Sequence, residues 1–258
     1  KLSEKLCKAW AVPLPHHRTI QQIALDLNEL VHYEQNARNG SPTVIMACAE
    51  TLLCVYGMVR PGHIQRSQLV QTTREAWVFE CVQGKRRVGA SRLPFLWTLP
   101  RKSMLGDDIL SGVVDLLRKT PPTGEDPWLL RQWGPSCSDP FSGTEFYDRP
   151  LQPQQARQAR RSIARAPPLR LSEAASQQSA AYRARHVMPG VANAIKLEAQ
   201  DRAALSNWRS CKDKDAREAA TSMCTLYDQS KVPQQFVSKV LCVLALREVT
   251  KRLNDFNL

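Results

Sequence analysis

The sequence has 258 residues, with 36 Lys and Arg against 24 Asp and Glu, and a formal net charge of +12. This excess of positive charge favours a polyanionic partner, although charge that serves only solubility is an alternative interpretation. The length suits one large domain or two small ones. No apolar run approaches the ~20 residues that a membrane-spanning helix needs, so we expect no membrane segment.

The eight cysteines are scattered along the chain. None forms a CxxC pair, and none has a histidine at zinc-finger spacing. Several lie in apolar runs, as Cys54 does, so we expect free core thiols in a reducing, intracellular compartment and no metal site. The common nucleotide-binding and hydrolase motifs are not found, and we expect no cofactor. The chain begins at Lys1 without an initiator Met or a signal-peptide pattern, so we expect a segment of a longer protein.

Two helices are predicted near the start of the chain. Apolar residues at helical spacing predict an amphipathic helix over 19–36. Ser41 is then suited to be the N-cap, and Pro42 the first residue, of a second helix. This second helix, predicted over 43–59, is apolar nearly all round and is therefore expected to be buried. It is followed by Arg60-Pro61-Gly62.

Strand patterns come next. Residues 76–82 are rich in β-formers and predict a strand, with a hairpin turn at 83–86 and a returning strand at 87–93. Together these segments predict a small antiparallel sheet near residues 65–98. A helix is predicted over 107–118, where apolar residues again recur at helical spacing.

The second half is predicted to be helical after one interruption. Frequent Pro and Gly predict an irregular insertion at 120–153. Residues 149–170 then hold six arginines and no acid. A solvated basic helix or linker explains this run as well as a surface that tracks phosphates does. From Leu171 the chain is predicted to be helical to its end, which gives a mainly α fold with a small antiparallel β-sheet.

Residues suited to cutting a phosphodiester occur along the chain. Metal-free cleavage needs a nucleophile in line with the scissile bond, cations on the non-bridging oxygens and an acid for the leaving oxygen. Arginine suits the second task because its planar guanidinium binds phosphate bidentately. The candidates, in chain order, are Arg60, Lys85, Tyr182, Arg185, Trp208 and Tyr227.

This order resembles the catalytic domain of the tyrosine recombinases, the phage-integrase family, and especially the divergent recombinases of eukaryotic mobile elements. Arg60 matches the family's first arginine, in a G-[LA]-R-P-[GS]-E turn after a buried helix. Lys85 matches its β-hairpin lysine, and Arg185 matches the arginine of its H-x-x-R box. Trp208 follows Arg185 by 23 residues and matches the family's His/Trp position, and Tyr227 matches the tyrosine nucleophile.

The resemblance covers roughly residues 40 to 245 and implies a mechanism. Tyr227 would attack the scissile phosphate and form a 3′-phosphotyrosyl bond. Arg60 and Arg185 would hold the phosphate oxygens. Lys85 would protonate the leaving 5′-oxygen, and the Trp208 indole would donate to a phosphate oxygen. The resemblance also implies site-specific recombination or integration of double-stranded DNA, self-association as a tetramer on the DNA, and a nuclear location.

The sequence departs from the family pattern at four points. Residues 205–207, directly before Trp208, lack the glycine that is usual in the family. His63 stands where the family has an acid. Tyr182 stands at the first position of the second box, where the family has a histidine, and tyrosine is a poor general base because its hydroxyl ionises only at alkaline pH. Nineteen positions separate Trp208 from Tyr227, a longer interval than is usual in the family. His186 is a competing candidate for the missing histidine.

In this interpretation residues 39–258 form the catalytic domain. Residues 1–38 form an N-terminal segment, a possible remnant of the family's core-binding domain or a linker from it. The apolar run at 236–244 either docks on a neighbouring copy or belongs to the core. Further DNA contacts are expected from basic residues around the candidate site, namely Arg86, Arg87, Arg157, Arg160, Arg161, Arg183 and His186.

Three alternatives stay open. A catalytically dead relic keeps the arginines for DNA binding alone. A type IB topoisomerase shares the fold and chemistry but relaxes DNA without exchanging partners. A basic interaction module binds a partner other than DNA. Single residues also have structural interpretations: Arg60 suits a helix C-terminus, and Trp208 and Tyr227 suit a core.

Overall fold

The structure is a computed structural model, and the fold is mixed α and β with a small antiparallel sheet, which confirms the predicted fold class at this level. Within the described ranges, no helix combines the length and apolarity needed to cross a membrane. The structure describes residues 25–83, 87–88, 91–92, 94–121, 128–134, 146–173, 176, 181–205 and 231–256.

The elements within these ranges follow in chain order. The helices are α1 Leu27–Asn39, α2 Pro42–Tyr56, α3 Pro61–Ile64, α4 Ser111–Lys119, α5 Pro153–Arg165, α6 Ala181–Ala184, α7 Val187–Ala194, α8 Ala199–Leu205 and α9 Lys231–Phe256. The strands are β1 Ser67–Thr72, β2 Ala76–Cys81, β3 Arg87–Val88, β4 Ser91–Arg92, β5 Phe95–Pro100, β6 Arg131–Trp133 and β7 Phe146–Pro150.

Helix α2 is the centre of the fold. Every residue from Thr43 to Tyr56 is buried, and α1, α4, α5, α6 and α7 all pack against it. The predicted N-cap at Ser41 and the predicted first residue Pro42 are confirmed. The helix ends at Tyr56, earlier than the predicted 59, because Gly57 closes its last turn.

Helix α1 begins later than the sequence pattern predicts. Asp26 has extended backbone and caps the helix, so the prediction of one helix over 19–36 is wrong at this point. The Asp26 carboxylate accepts a hydrogen bond from the Glu29 N–H at 2.8 Å, and the Glu29 carboxylate accepts one from the Asp26 N–H at 3.0 Å. This capping box satisfies N–H groups that a helix start leaves without partners. Residues 19–24 lie outside the described residues.

The predicted sheet is confirmed, but its returning strand is wrong. The three-stranded antiparallel sheet has the order β1-β2-β5, and β3 and β4 pair only with each other. The strand that returns alongside β2 is therefore β5, at Phe95–Pro100, rather than residues 87–93. Phe79 stacks on Trp97 with 4.3 Å between ring centroids, and this aromatic pair favours the observed register. The sequence pattern missed β1, because most of its side chains are exposed and show no alternation.

The predicted helix at 107–118 begins at Ser111. The Asp108 carboxylate accepts hydrogen bonds from the Leu110 N–H at 3.0 Å and from the Trp77 indole N–H at 3.2 Å. Asp108 therefore holds the chain in a turn ahead of α4. Apolar spacing extends through this turn, so the sequence pattern could not show the boundary.

The predicted irregular insertion at 120–153 contains a β-ribbon. Strands β6 and β7 pair antiparallel within it, so the prediction is wrong for this part. The buried Arg131 guanidinium donates to the Asp148 carboxylate at 3.1 Å and to the Thr120 hydroxyl at 2.7 Å, and it ties the ribbon to the end of α4. Strands this short carry too few residues for alternation to be recognised.

We predict that Gly112→Ala destabilises the fold by about 2 kcal/mol, because α4 packs closely on the end of α1 and overpacking strains the backbone. A Cβ at Gly112 would lie 2.1 Å from the Ala37 carbonyl oxygen. Gly190 is the matched control, because it lies within α7 with no neighbouring atom within 4 Å of its Cβ position. Gly190→Ala should stabilise the helix by roughly 0.5–1 kcal/mol. Urea unfolding measures both, and equal effects would contradict this packing.

Candidate functional site

A turn directly after α2 places Arg60 at the edge of the core. A Cβ at Gly57 would lie 2.7 Å from the Trp97 ring and 2.5 Å from the Leu53 carbonyl oxygen, so only glycine fits there. Met58 then adopts a left-handed conformation, with φ +59°. The chain then continues to the half-buried Arg60, which directly precedes α3.

Arg185 meets the same turn from the opposite side. Its side chain is buried, and its Nε donates to the Met58 carbonyl oxygen at 3.3 Å. Arg185 lies in the turn between α6 and α7, and both helices pack against α2. The fold therefore brings Arg60 and Arg185, which are 125 positions apart in the sequence, to one turn.

A third basic side chain reaches this turn from α9. The Lys239 Nζ donates to the Gly57 carbonyl oxygen at 2.9 Å and to the Thr98 carbonyl oxygen at 2.5 Å. The reasoning from sequence missed Lys239. The signal that marks it is a lone lysine inside the apolar run at 236–244. A buried charge is rare unless it has partners, so such a lysine points to a specific contact.

His186 and His63 lie close to the two arginines. Burial, and then the positive charge of Arg185, lower the pKa of His186. Its imidazole is therefore neutral near pH 7 and adds no charge to a phosphate-binding surface. The His63 ring packs edge-on against Phe95, with 5.1 Å between centroids. At the position where the family has an acid, this chain therefore has a ring in an apolar contact.

The basic helix α5 has two different faces. Arg157 and Arg165 are exposed and Arg161 is half-buried, and these three follow one another at intervals of four residues. Four residues of α-helix rise about 6 Å, so these three positions form a row along one face. Arg165 is in a solvent-exposed ion pair with Glu173, with 3.5 Å between Nη1 and Oε2.

Two of the expected DNA-contacting arginines point into the core. Arg160 lies on the inner face of α5 and pairs with the buried Glu50 of α2. Arg183 donates to both carboxylate oxygens of Glu29, at 2.9 and 3.2 Å. Both guanidinium groups are therefore engaged by carboxylates inside the protein, which leaves Arg160 and Arg183 unsuited to contact DNA.

The start of α5 lies beside the Arg60 turn. The Gln65 side-chain amide, just after α3, donates to the Leu151 carbonyl oxygen at 2.5 Å. Leu151 is two residues before α5 and two after the exposed Arg149. The basic segment that contains Arg149 and Arg157 is therefore adjacent to the segment that begins with Arg60.

The remaining candidates lie outside the described residues. This holds for Lys85, Arg86, Trp208 and Tyr227. The backbone of Tyr182 belongs to α6 and that of Arg87 to β3, but their side chains are not among those described. Convergence of the full set on one cleft therefore stays a prediction.

The described residues hold no cluster of three or more His, Cys, Asp or Glu side chains that suits a metal ion. The four described cysteines are free and buried: Cys48, Cys54, Cys81 and Cys242. Burial raises the pKa of Cys242 to about 12 and raises those of the other three thiols as well. These thiols are therefore inert packing groups near neutral pH.

Comparison of the chain with known proteins found no matching family model, no similar curated protein and no similar solved structure. The family resemblance therefore depends on the residues quoted above and on where the fold brings them.

We predict that Arg160→Met lowers the free energy of unfolding by about 3–5 kcal/mol, because it leaves the Glu50 carboxylate buried without its partner. Arg157→Met, on the exposed face of the same helix, should change it by less than ~0.5 kcal/mol. The double variant Glu50→Leu/Arg160→Met should recover part of the loss. Urea unfolding measures all three, and similar values for Arg157→Met and Arg160→Met would show that the two faces are not different.

Proposed function

We propose that this chain binds double-stranded DNA and breaks and rejoins it through a 3′-phosphotyrosyl intermediate on Tyr227. Arg60 and Arg185 hold the scissile phosphate. The observation that supports this most directly is the hydrogen bond from Arg185 to the Met58 carbonyl, which brings the two arginines to one turn. Site-specific recombination or integration, assembly as a tetramer on DNA and a nuclear location belong to the same proposal and follow from the resemblance alone.

The surroundings of Arg60 suit a phosphate ligand. Among the described residues, no carboxylate pairs with its guanidinium, unlike those of Arg160 and Arg183. The side chain is only half-buried, so an anion can reach it from solvent. A planar guanidinium binds two non-bridging oxygens at once, and partial burial strengthens such contacts.

The proposed chemistry is balanced without a metal or ATP. The Tyr227 hydroxyl oxygen forms a bond to phosphorus and releases its proton to solvent, the bond to the 5′-oxygen breaks, and Lys85 gives that oxygen a proton. The two arginines stabilise the charge that develops on the phosphate. Ligation reverses these steps, because the covalent link keeps the energy of the broken bond.

The basic segment beside the turn supplies the wider DNA contact in this proposal. Arg149 and the row on α5 carry positive charge along the protein surface. Spacing of about 6 Å along a helix suits contacts to successive phosphates of one strand. Such contacts set position and affinity but read no sequence.

A DNA-binding relic is the second candidate. The burial of Arg185 favours it, because its hydrogen bond to a backbone carbonyl is a structural contact that a dead enzyme also keeps. The two candidates differ only in whether a covalent adduct forms.

Covalent trapping tests whether the chain is a catalytically active enzyme. Suicide duplexes with a randomised sequence and a nick beside it should give a denaturant-resistant protein–DNA adduct with the wild type. Tyr227→Phe should abolish the adduct, and Arg60→Gln should slow its formation by roughly 100-fold or more. The matched control is Arg74→Gln, which removes one positive charge from a side chain that is 96% exposed. DNA binding without any adduct favours the relic.

DNA binding at several salt concentrations tests the interface. Each arginine that contacts a phosphate contributes about 0.9 to the slope of log affinity against log salt. Arg60→Gln and Arg157→Gln should each lower the slope by about that amount, and Arg74→Gln should leave it unchanged. Affinity that does not respond to salt, or no binding at all, favours the basic interaction module.

A further inference from the structure

The long helix α9 carries a buried lysine that has no place in the proposed chemistry. Lys239 is 0% exposed, although it stands in the middle of an otherwise apolar stretch. Its amine donates to two carbonyl oxygens, those of Gly57 and Thr98. A lysine is rarely buried completely, so this contact needs a reason.

The contact with Thr98 completes the edge of the sheet. Strand β5 is an edge strand, and an edge strand leaves backbone groups without partners. Gln235, one helical turn before Lys239, accepts hydrogen bonds from the Thr98 N–H at 2.8 Å and from its hydroxyl at 3.0 Å. Lys239 satisfies the carbonyl of the same residue, so α9 takes the place of a fourth strand at Thr98.

The contact with Gly57 completes the end of α2. The last carbonyls of a helix have no partner within the helix, and they form the negative end of its dipole. Because α2 ends inside the core, a protein donor has to take the place of water there. Two consecutive carbonyls of the turn, those of Gly57 and Met58, accept hydrogen bonds from basic side chains of different segments: Lys239 of α9, and Arg185 of the turn between α6 and α7.

We infer that Lys239 is a positioning residue for Arg60: by holding the Gly57 carbonyl against Thr98, it fixes the turn that aims the Arg60 guanidinium. Only the last step, that Arg60 holds a phosphate, rests on the proposed function. Lys239 itself touches no phosphate, because its amine is enclosed and used by the two carbonyls.

Burial lowers the pKa of Lys239 well below its usual value. The contact does not depend on which form the amine takes, because a neutral amine has two N–H groups and an ammonium three, and either can donate to both carbonyl oxygens.

Hydrogen exchange on the full chain tests the turn without DNA. The His63 and Ile64 amides donate to the Arg60 carbonyl at 2.8 and 3.1 Å and report on the turn. Lys239→Met should speed their exchange at least about tenfold, because the Gly57 carbonyl loses its buried donor. The amides of α4 report on global unfolding and should change much less.

Arg247→Met is the matched control. Arg247 lies two turns further along α9, and its guanidinium also donates to a backbone carbonyl, that of Ser103, at 2.8 Å. Its replacement should leave the exchange of the turn amides unchanged. If Lys239→Met does not fold, Lys239→Gln keeps one donor on a shorter side chain and should show the same local effect, smaller in size.

A double-mutant cycle tests whether Lys239 acts through Arg60. In the wild-type background, Arg60→Gln should lower the slope of log affinity against log salt by about 0.9. In the Lys239→Met background, the same substitution should lower this slope by much less. Arg157→Gln should have its full effect in both backgrounds.

The two proposals fail in different ways. If the wild type does not bind DNA, the proposed function is wrong, and hydrogen exchange alone decides the role of Lys239. If the turn and α4 exchange faster in parallel, or if Arg60→Gln keeps its full effect beside Lys239→Met, Lys239 only stabilises the fold and our inference is wrong.

Discussion

Helix α2 is apolar nearly all round, and a helix of that kind is stable only when other elements enclose it. Enclosure removes water from its C-terminal end as well as from its side chains. The charged side chain within α2 and the backbone carbonyls just after it therefore need protein partners. Glu50 has Arg160, and the carbonyls of Gly57 and Met58 have Lys239 and Arg185. Polar groups of a buried helix that lack water thus bind basic side chains from three segments that are distant in the sequence.

This constraint changes what the positive charge of the chain means. A net charge of +12 suggests a basic surface, but Arg131, Arg160, Arg183 and Arg185 are all buried. Buried charges are kept only where partners compensate them, so these arginines serve the fold first. Among the described residues, fewer arginines are therefore left for a polyanion than the composition implies. Arg149 and Arg157 are exposed, and they lie near the Arg60 turn.

The turn at 57–60 is where structure and proposed chemistry meet. A rigid turn is needed if a guanidinium is to hold a phosphate at one position, because small misplacement costs much of the rate. Here the turn is over-determined: Gly57 fits against Trp97, and neighbouring carbonyls are held from both sides. A DNA-binding relic without catalysis would keep the same rigid turn, because the contacts that rigidify the turn also stabilise the core. Catalysis in the proposed function requires Tyr227 as the nucleophile in addition to this turn.

The sequence by itself determined the buried helix, its start at Ser41 and Pro42, and the small sheet, because apolar periodicity and capping chemistry are local properties. It also marked Arg60 and Arg185. Only the tertiary structure decided that these two lie against one turn, that β5 pairs with β2, and that Arg160 faces inward while Arg157 faces out. The physical reason is that burial and pairing depend on residues far apart in the chain. Lys239 shows this best: its place in the sequence marks an anomaly, and only the fold supplies its two carbonyl partners.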